Sequence, residues 1–268
     1  MHIVLAITAA HDRLSSLPDD KPTATELFHQ YNATAQYKYK LQSGDATSSE
    51  RDAVWIASTF IGAMQMCNMP AKSPEGAWPL KASDPSEPDW LTLSLGKNDI
   101  WSFCDPSRAD SCFQALWIRY TIFEGDSDFT PTELKDGGFH NLPREMLQYL
   151  DLDDRSAWPS SPYFQAANIM SQLMPLEYNQ TNIMKYAAFI QLIQPEFRDL
   201  WIKKEPGALL LLSYWYAKSI PFQQWWIWKR AVLECQAICI FLERYHSDIP
   251  HLERLLSFPK RHCGLVTT

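Results

Sequence analysis

A chain of 268 residues with 46% hydrophobic and 21% charged side chains has ordinary globular proportions and is long enough to bury a sizeable core. Its net charge is −7, and its basic residues cluster only as the pairs Lys203-Lys204, Lys229-Arg230 and Lys260-Arg261, which argues against direct nucleic-acid contact because phosphate binding draws on massed lysine and arginine. Nine glycines disfavour glycine-rich phosphate loops; six cysteines without a C-x-x-C pair encode no zinc ribbon and read as reduced, intracellular thiols.

The predicted elements are helical throughout. Ile3, Ala6, Ile7, Ala10 and Leu14 form an amphipathic stripe, so the apolar start reads as a helix rather than a signal peptide. A chain opening inside a helix without a cap is expected to derive from a longer parent. Thr23-Ala24-Thr25-Glu26 is a capping box that starts a helix to about Leu41. Ser49 with Asp52 is expected to start the next, with Ala53, Ala57, Phe60, Met64 and Cys67 on its apolar face. Two stretches, about 70–88 and 125–143, are proline- or glycine-punctuated loops. Within the second, Thr130-Pro131-Thr132-Glu133 is expected to cap a short helical turn stopped by Gly137-Gly138. No strand pattern is found, and Leu91, Leu95, Ile100 and Trp101 fit a helix. Ser161-Pro162 repeats the cap-then-proline signal, and Pro206 and Pro221 are each expected to start a helix. The sequons at Asn32 and Asn179 both fall in predicted helices and read as chance matches.

The run from Phe222 to Tyr245 sets the expected architecture. Trp228, Ala231, Val232, Cys235, Ile238, Cys239 and Leu242 share one face, and Trp226, Leu233 and Ile240 form a second apolar line. A helix apolar on two sides packs between other helices, so this run is expected to be the central helix. Lys218, Lys229, Arg230 and Glu234 interrupt every window long enough to span a membrane. The expected fold is all-α: a single multi-helix bundle over 1–268 with a buried C-terminal helical hairpin.

Catalytic motifs are absent: there is no G-x-S-x-G, H-E-x-x-H or G-x-x-x-x-G-K. The densest acidic cluster is Asp151, Asp153 and Asp154. Magnesium in a helical isoprenoid-type synthase needs such carboxylates to converge on octahedral geometry, whereas a solvated loop is the favoured reading because Arg155 follows directly and no second acidic motif appears. Cys235 and Cys239 lie one turn apart, but further ligands are not evident, so both read as small buried hydrophobes and no metal site is assigned. His246 and His251 bracket a helix end, and His11 reads as a hydrogen-bonded core residue. Trp215, Trp225, Trp226 and Trp228 either pack helix on helix or wall an apolar ligand pocket; composition does not separate the two.

The ordered series Pro206, Ala208-Leu209, Tyr214-Trp215, Trp225-Trp226 and Leu255 to Pro259 resembles the C-terminal regulatory domain of fungal binuclear zinc-cluster transcription factors, in particular the sterol-uptake-regulator-like group. Ala9-Ala10-His11, the tyrosines Tyr31 and Tyr39, the small and apolar helix from Ala53 to Cys67, and Trp90-Leu91-Thr92-Leu93-Ser94-Leu95-Gly96 extend the resemblance over nearly the whole chain. The chain departs from that pattern in lacking the six-cysteine DNA-binding cluster and its basic linker, and in carrying Tyr214 and Phe258 where many members have histidine and tryptophan.

The resemblance implies an all-α regulatory domain, not an enzyme, with a nuclear or cytoplasmic location. It implies homodimerisation, coregulator proteins as partners and, in sterol-sensing members, an apolar ligand. No cofactor is expected in this chain, zinc belonging to the absent DNA-binding cluster. Phe60, Met64, Trp215, Trp225 and Trp226 are the candidate pocket residues. The alternatives are a helical isoprenoid-type enzyme using Asp151, Asp153 and Asp154, and a ligand-free interaction module.

Overall fold

The computed structural model describes residues 1–16, 21–81, 97–115, 129–130, 133–134, 138–153, 161–193 and 195–266. The chain is all-α. Among the described residues its helices are α1 (His2–Ser16), α2 (Ala24–Ser43), α3 (Ser48–Cys67), α4 (Lys97–Cys104), α5 (Arg144–Tyr149), α6 (Phe164–Leu173), α7 (Gln180–Leu192), α8 (Pro195–Ile202), α9 (Pro206–Ser219), α10 (Trp228–Tyr245) and α11 (Leu252–His262), with 3-10 turns at Pro74–Gly76 and Ile220–Phe222. Where the sequence predicts a capped helical turn near Thr130, a two-residue ladder pairs Phe129–Thr130 with Glu133–Leu134. A segment so short offers no apolar face for a helix to bury. No helix among the described residues is long and apolar enough to cross a membrane.

The chain divides into two compact units, 1–70 with 89–133, and 71–88 with 134–268. In the first, α1, α2 and α3 pack mutually around Ile3, Ala6, Ala33, Ile61 and Met64, with Ile7, Tyr37, Ala57 and Phe60 at the margin. The start of α2 is capped as its sequence predicts, Thr23 accepting from the Glu26 N–H at 3.1 Å. The Glu26 side chain, however, takes both ends of Arg13, at 2.8 and 2.9 Å, in an ion pair buried between α1 and α2. A buried carboxylate gains more from a bidentate guanidinium than from one backbone N–H.

The second capping box also differs from expectation. The cap of α3 is Thr47, which exchanges hydrogen bonds with Glu50, rather than Ser49 with Asp52. Asp52 is thereby released for tertiary work. It accepts from Arg108 at 2.6 Å, from the Ser111 hydroxyl at 2.8 Å and from the Cys112 N–H at 2.8 Å, while Arg108 also holds the Cys104 carbonyl. This cluster ties the end of α4 and the turn after it to the start of α3. His11, expected in the core, is half exposed beside Asp12 on the outer face of α1; its neighbours Ala10 and Arg13 take the inward positions instead.

In the second unit the central helix is α9, not the Phe222–Tyr245 run. Every residue from Gly207 to Ser219 is buried. Pro206 occupies the first turn as predicted, and Glu205 caps it, accepting from the Gly207 and Ala208 N–H groups at 2.9 and 3.1 Å. Gly207 is required by close packing: a Cβ there would stand 2.6 Å from Leu150 Cδ2. Pro221 starts no helix; it lies in the 3-10 turn that ends α9, and Gln223 then reverses the chain in the left-handed region. Trp225 and Trp226 therefore sit in a turn, and α10 begins at Trp228. The face of α10 bearing Ala231, Cys235, Ile238, Cys239 and Leu242 is buried, whereas Leu233 and Ile240 on its second apolar line are only partly covered. Asn179 caps α7 rather than lying within it, accepting from the Asn182 N–H at 2.9 Å.

Pro259 lies inside α11, where its missing N–H leaves the Leu255 carbonyl without its helical donor. The Tyr214 hydroxyl of α9 supplies the bond at 2.8 Å, and its ring stacks on Phe258. Tyr214→Phe is expected to destabilise the chain by about 1–3 kcal/mol in denaturant melts by orphaning that carbonyl. In a Pro259→Ala background the cost should shrink, because alanine restores the N–H; equal costs in both backgrounds would contradict the assignment.

Burial opposes the charge on Asp52, but its donors outweigh burial and hold the carboxyl down from the usual 3.8 to about 2. A folded value below the unfolded one means that this stabilisation is complete above 3.8 and is lost as pH falls toward about 2. Asp52→Asn should therefore lower the melting temperature at neutral pH and flatten its fall on acidification.

Candidate functional site

The sequence places its candidate residues in both units. Phe60 and Met64 belong to α3 of the first, where Met64 is part of the core and Phe60 lies at its margin. Trp215, Trp225 and Trp226 belong to the second. Trp215 is fully engaged in packing: its ring stacks on Phe189 with centroids 5.6 Å apart, and its indole N–H donates to the Tyr186 carbonyl at 2.8 Å. Trp225 and Trp226 are half-buried in the turn before α10. Asp151 and Asp153 are exposed, with Asp151 at a left-handed backbone position after α5. Asp154 and the Trp90–Gly96 segment lie outside the described residues.

A different group converges deep in the second unit. Cys235 and Cys239 sit one turn apart on the buried face of α10, and Cys263 ends α11. Their three sulfur atoms lie within 4.8 Å of one another, and all three residues are buried, at 0%, 0% and 4% exposure. Two devices bring Cys263 there. Gly264, in the left-handed conformation with φ 77°, closes α11 with a Schellman-type turn in which the Leu265 N–H donates to the Lys260 carbonyl at 2.9 Å. Gln236 of α10 then donates to the Cys263 carbonyl at 2.6 Å. Nearby, Lys260 pairs with Glu243 across the same two helices at 2.7 Å. Cys235 Sγ faces the Ser213 carbonyl of α9 at 3.5 Å and the Pro259 carbonyl of α11 at 3.9 Å.

Burial drives the Cys235 thiol well above the ordinary thiol range, reinforced by the neighbouring Cys239 and Cys263. Cys239 is held down by Cys235 beside it, but Cys263 and burial outweigh this and raise it well above that range. Cys263, beside both, is driven the other way, below the ordinary thiol range. Sequence reading found the pair Cys235 and Cys239 and treated them as space-fillers. The third member is joined only by the fold, although Gly264 after the basic last turn of α11 was a readable stop signal placing Cys263 at a helix end.

Two charged groups that the sequence marks only as interruptions of apolar runs are buried and partnered. Glu234 is buried between Arg230 and the Tyr216 hydroxyl, which both donate to it. Lys218 is 5% exposed; its ammonium donates to the Met174 carbonyl at 2.8 Å after α6 and lies 4.5 Å from the Tyr178 ring centroid.

No family model matches the chain, and searches of the curated proteins and of the solved structures return no match.

Of the six thiols only Cys112 is exposed. An aromatic disulfide reagent should accordingly titrate one thiol rapidly in the native chain and six in denaturant. Rapid loss of Cys235, Cys239 or Cys263 in native buffer, mapped by mass spectrometry, would contradict the packing described.

Proposed function

We propose that the chain is the regulatory, or effector, domain of a fungal zinc-cluster-type transcription regulator, acting through an apolar small molecule or a protein partner rather than through catalysis. The observation that carries this reading is the placement of the ordered motif series. Pro206 opens α9, Ala208-Leu209 and Tyr214-Trp215 form its buried body, and Leu255 to Pro259 form the part of α11 bonded to Tyr214. Residues singled out by their order alone thus fall on two helices packed on one another, α9 and α11, and, for Trp225-Trp226, on the turn before α10.

The mechanism is a population shift. A ligand that binds one helical arrangement better than another moves the balance by its difference in affinity and by no more. Trp225 and Trp226, half-buried in the turn between α9 and α10, are candidate pocket residues with surface still open to a ligand, as is Phe60 of α3. Nuclear or cytoplasmic residence, homodimerisation and coregulator binding belong to the same proposal, with no nucleic-acid contact from this chain.

The ligand-free interaction module is favoured by a separate observation. Within about one turn, α2 exposes Leu27, Phe28 and Tyr31, Phe28 at 59% and Tyr31 at 75%. Apolar surface grouped in this way marks docking faces more often than singly scattered residues do.

Titration with an ergosterol-like sterol is expected to change tryptophan fluorescence saturably and raise the melting temperature. Trp226→Ala should weaken the response without unfolding the chain. An unchanged spectrum and melting temperature at saturating sterol would remove the ligand reading and leave the interaction module.

A further inference from the structure

We propose that Cys235, Cys239 and Cys263 form a three-thiolate site for one soft, low-coordinate metal ion of the copper(I) type, held between α10 and α11. The site does not depend on the regulatory reading above.

Thiolate ligands select soft ions, copper(I) and zinc foremost. A metal about 2.3 Å from each of three sulfurs stands at the centre of a triangle with edges of about 4 Å. The thiols already lie within 4.8 Å of one another, so side-chain rotation and slight contraction complete the triangle without moving the helices. Coordination number then separates the two ions. Zinc in structural sites takes four ligands, and in catalytic sites three plus water. Among the described residues, the group that converges here contains three cysteines and no histidine or carboxylate. Cys235 and Cys239 at 0% exposure and Cys263 at 4% screen the group from bulk water. Three buried sulfurs suit an ion content with three ligands.

The surroundings are built in the way that metal ligands are supported. The i, i+4 spacing on α10 fixes two thiols on one face. The Gln236 bond to the Cys263 carbonyl and the Lys260–Glu243 pair hold the third from both sides. Supporting bonds of this kind orient ligands before the ion arrives. Cys263, next to exposed Gly264 at the end of α11, is the point of access. On binding, the thiol protons leave to solvent and copper stays in the +1 state, so no oxidant or reductant takes part.

The test is an anaerobic titration of the reduced chain with copper(I) against a chromophoric copper(I) chelator, with X-ray absorption on the loaded protein. One ion per chain and three sulfur neighbours are expected. Cys263→Ala should weaken retention by more than the roughly tenfold that losing a supporting contact costs, and Cys112→Ser should leave it unchanged. Quantitative capture of copper by the chelator overturns the site, as does retention that Cys263→Ala does not alter. Tighter retention of zinc(II), with a fourth light-atom neighbour, overturns the copper assignment. Should Cys263→Ala fail to fold, absorption on the unaltered chain decides alone, two or fewer sulfur neighbours being the overturning result.

Discussion

A helix buried on every side must satisfy inside the protein each polar atom that it carries, and α9 imposes that constraint on its whole unit. From Gly207 to Ser219 every residue is buried, yet the helix bears the Tyr214 and Tyr216 hydroxyls, the Trp215 indole N–H and the Lys218 ammonium. An unpartnered polar group in such a place costs about 1–3 kcal/mol. Each finds a partner on a different neighbour. Trp215 donates to the Tyr186 carbonyl in α7, Tyr216 to Glu234 in α10, Tyr214 to the Leu255 carbonyl in α11, and Lys218 to the Met174 carbonyl at the end of α6. Ser213 and Ser219 bond back to carbonyls of their own helix.

These bonds fix how α10 and α11 pack. Glu234, drawn in toward Tyr216, brings a charge into the core and with it Arg230, its partner one turn earlier. A buried charge without such a partner would be strongly destabilising, so the two must be buried together. The Tyr214 bond turns Pro259, ordinarily a helix breaker, into a tolerated member of α11. The helix can then run on to His262 and deliver Cys263 to the thiols of α10. The candidate metal site is thus a downstream result of burying α9.

The first unit follows a related logic with carboxylates. Glu26 and Asp52 both stand where a local helix-capping role is available, and both make tertiary ion pairs instead, with Arg13 and Arg108. Capping falls to Thr23 alone in one case and to Thr47 with Glu50 in the other. Where a long-range guanidinium competes with a nearby backbone N–H, the charge-assisted bond is the stronger.

The all-α class, the stripe of α1, the Thr23 cap of α2 and the Pro206 start of α9 were legible because periodicity and caps depend on residues within one turn of each other. The apolar density after Pro206 likewise marks a buried helix, although the two-sided pattern of the run after it points to that run as the central one. What the tertiary structure decided joins residues far apart: Glu26 to Arg13, Asp52 to Arg108, Tyr214 to Leu255 and Cys263 to Cys235 and Cys239. Composition and spacing on one helix carry no signal for such partners, because the energy of a buried polar group is set by whatever another helix brings against it. Local order by itself therefore determined which segments are helices, and only packing decided which side chains meet and what chemistry three thiols at the end of the chain can perform.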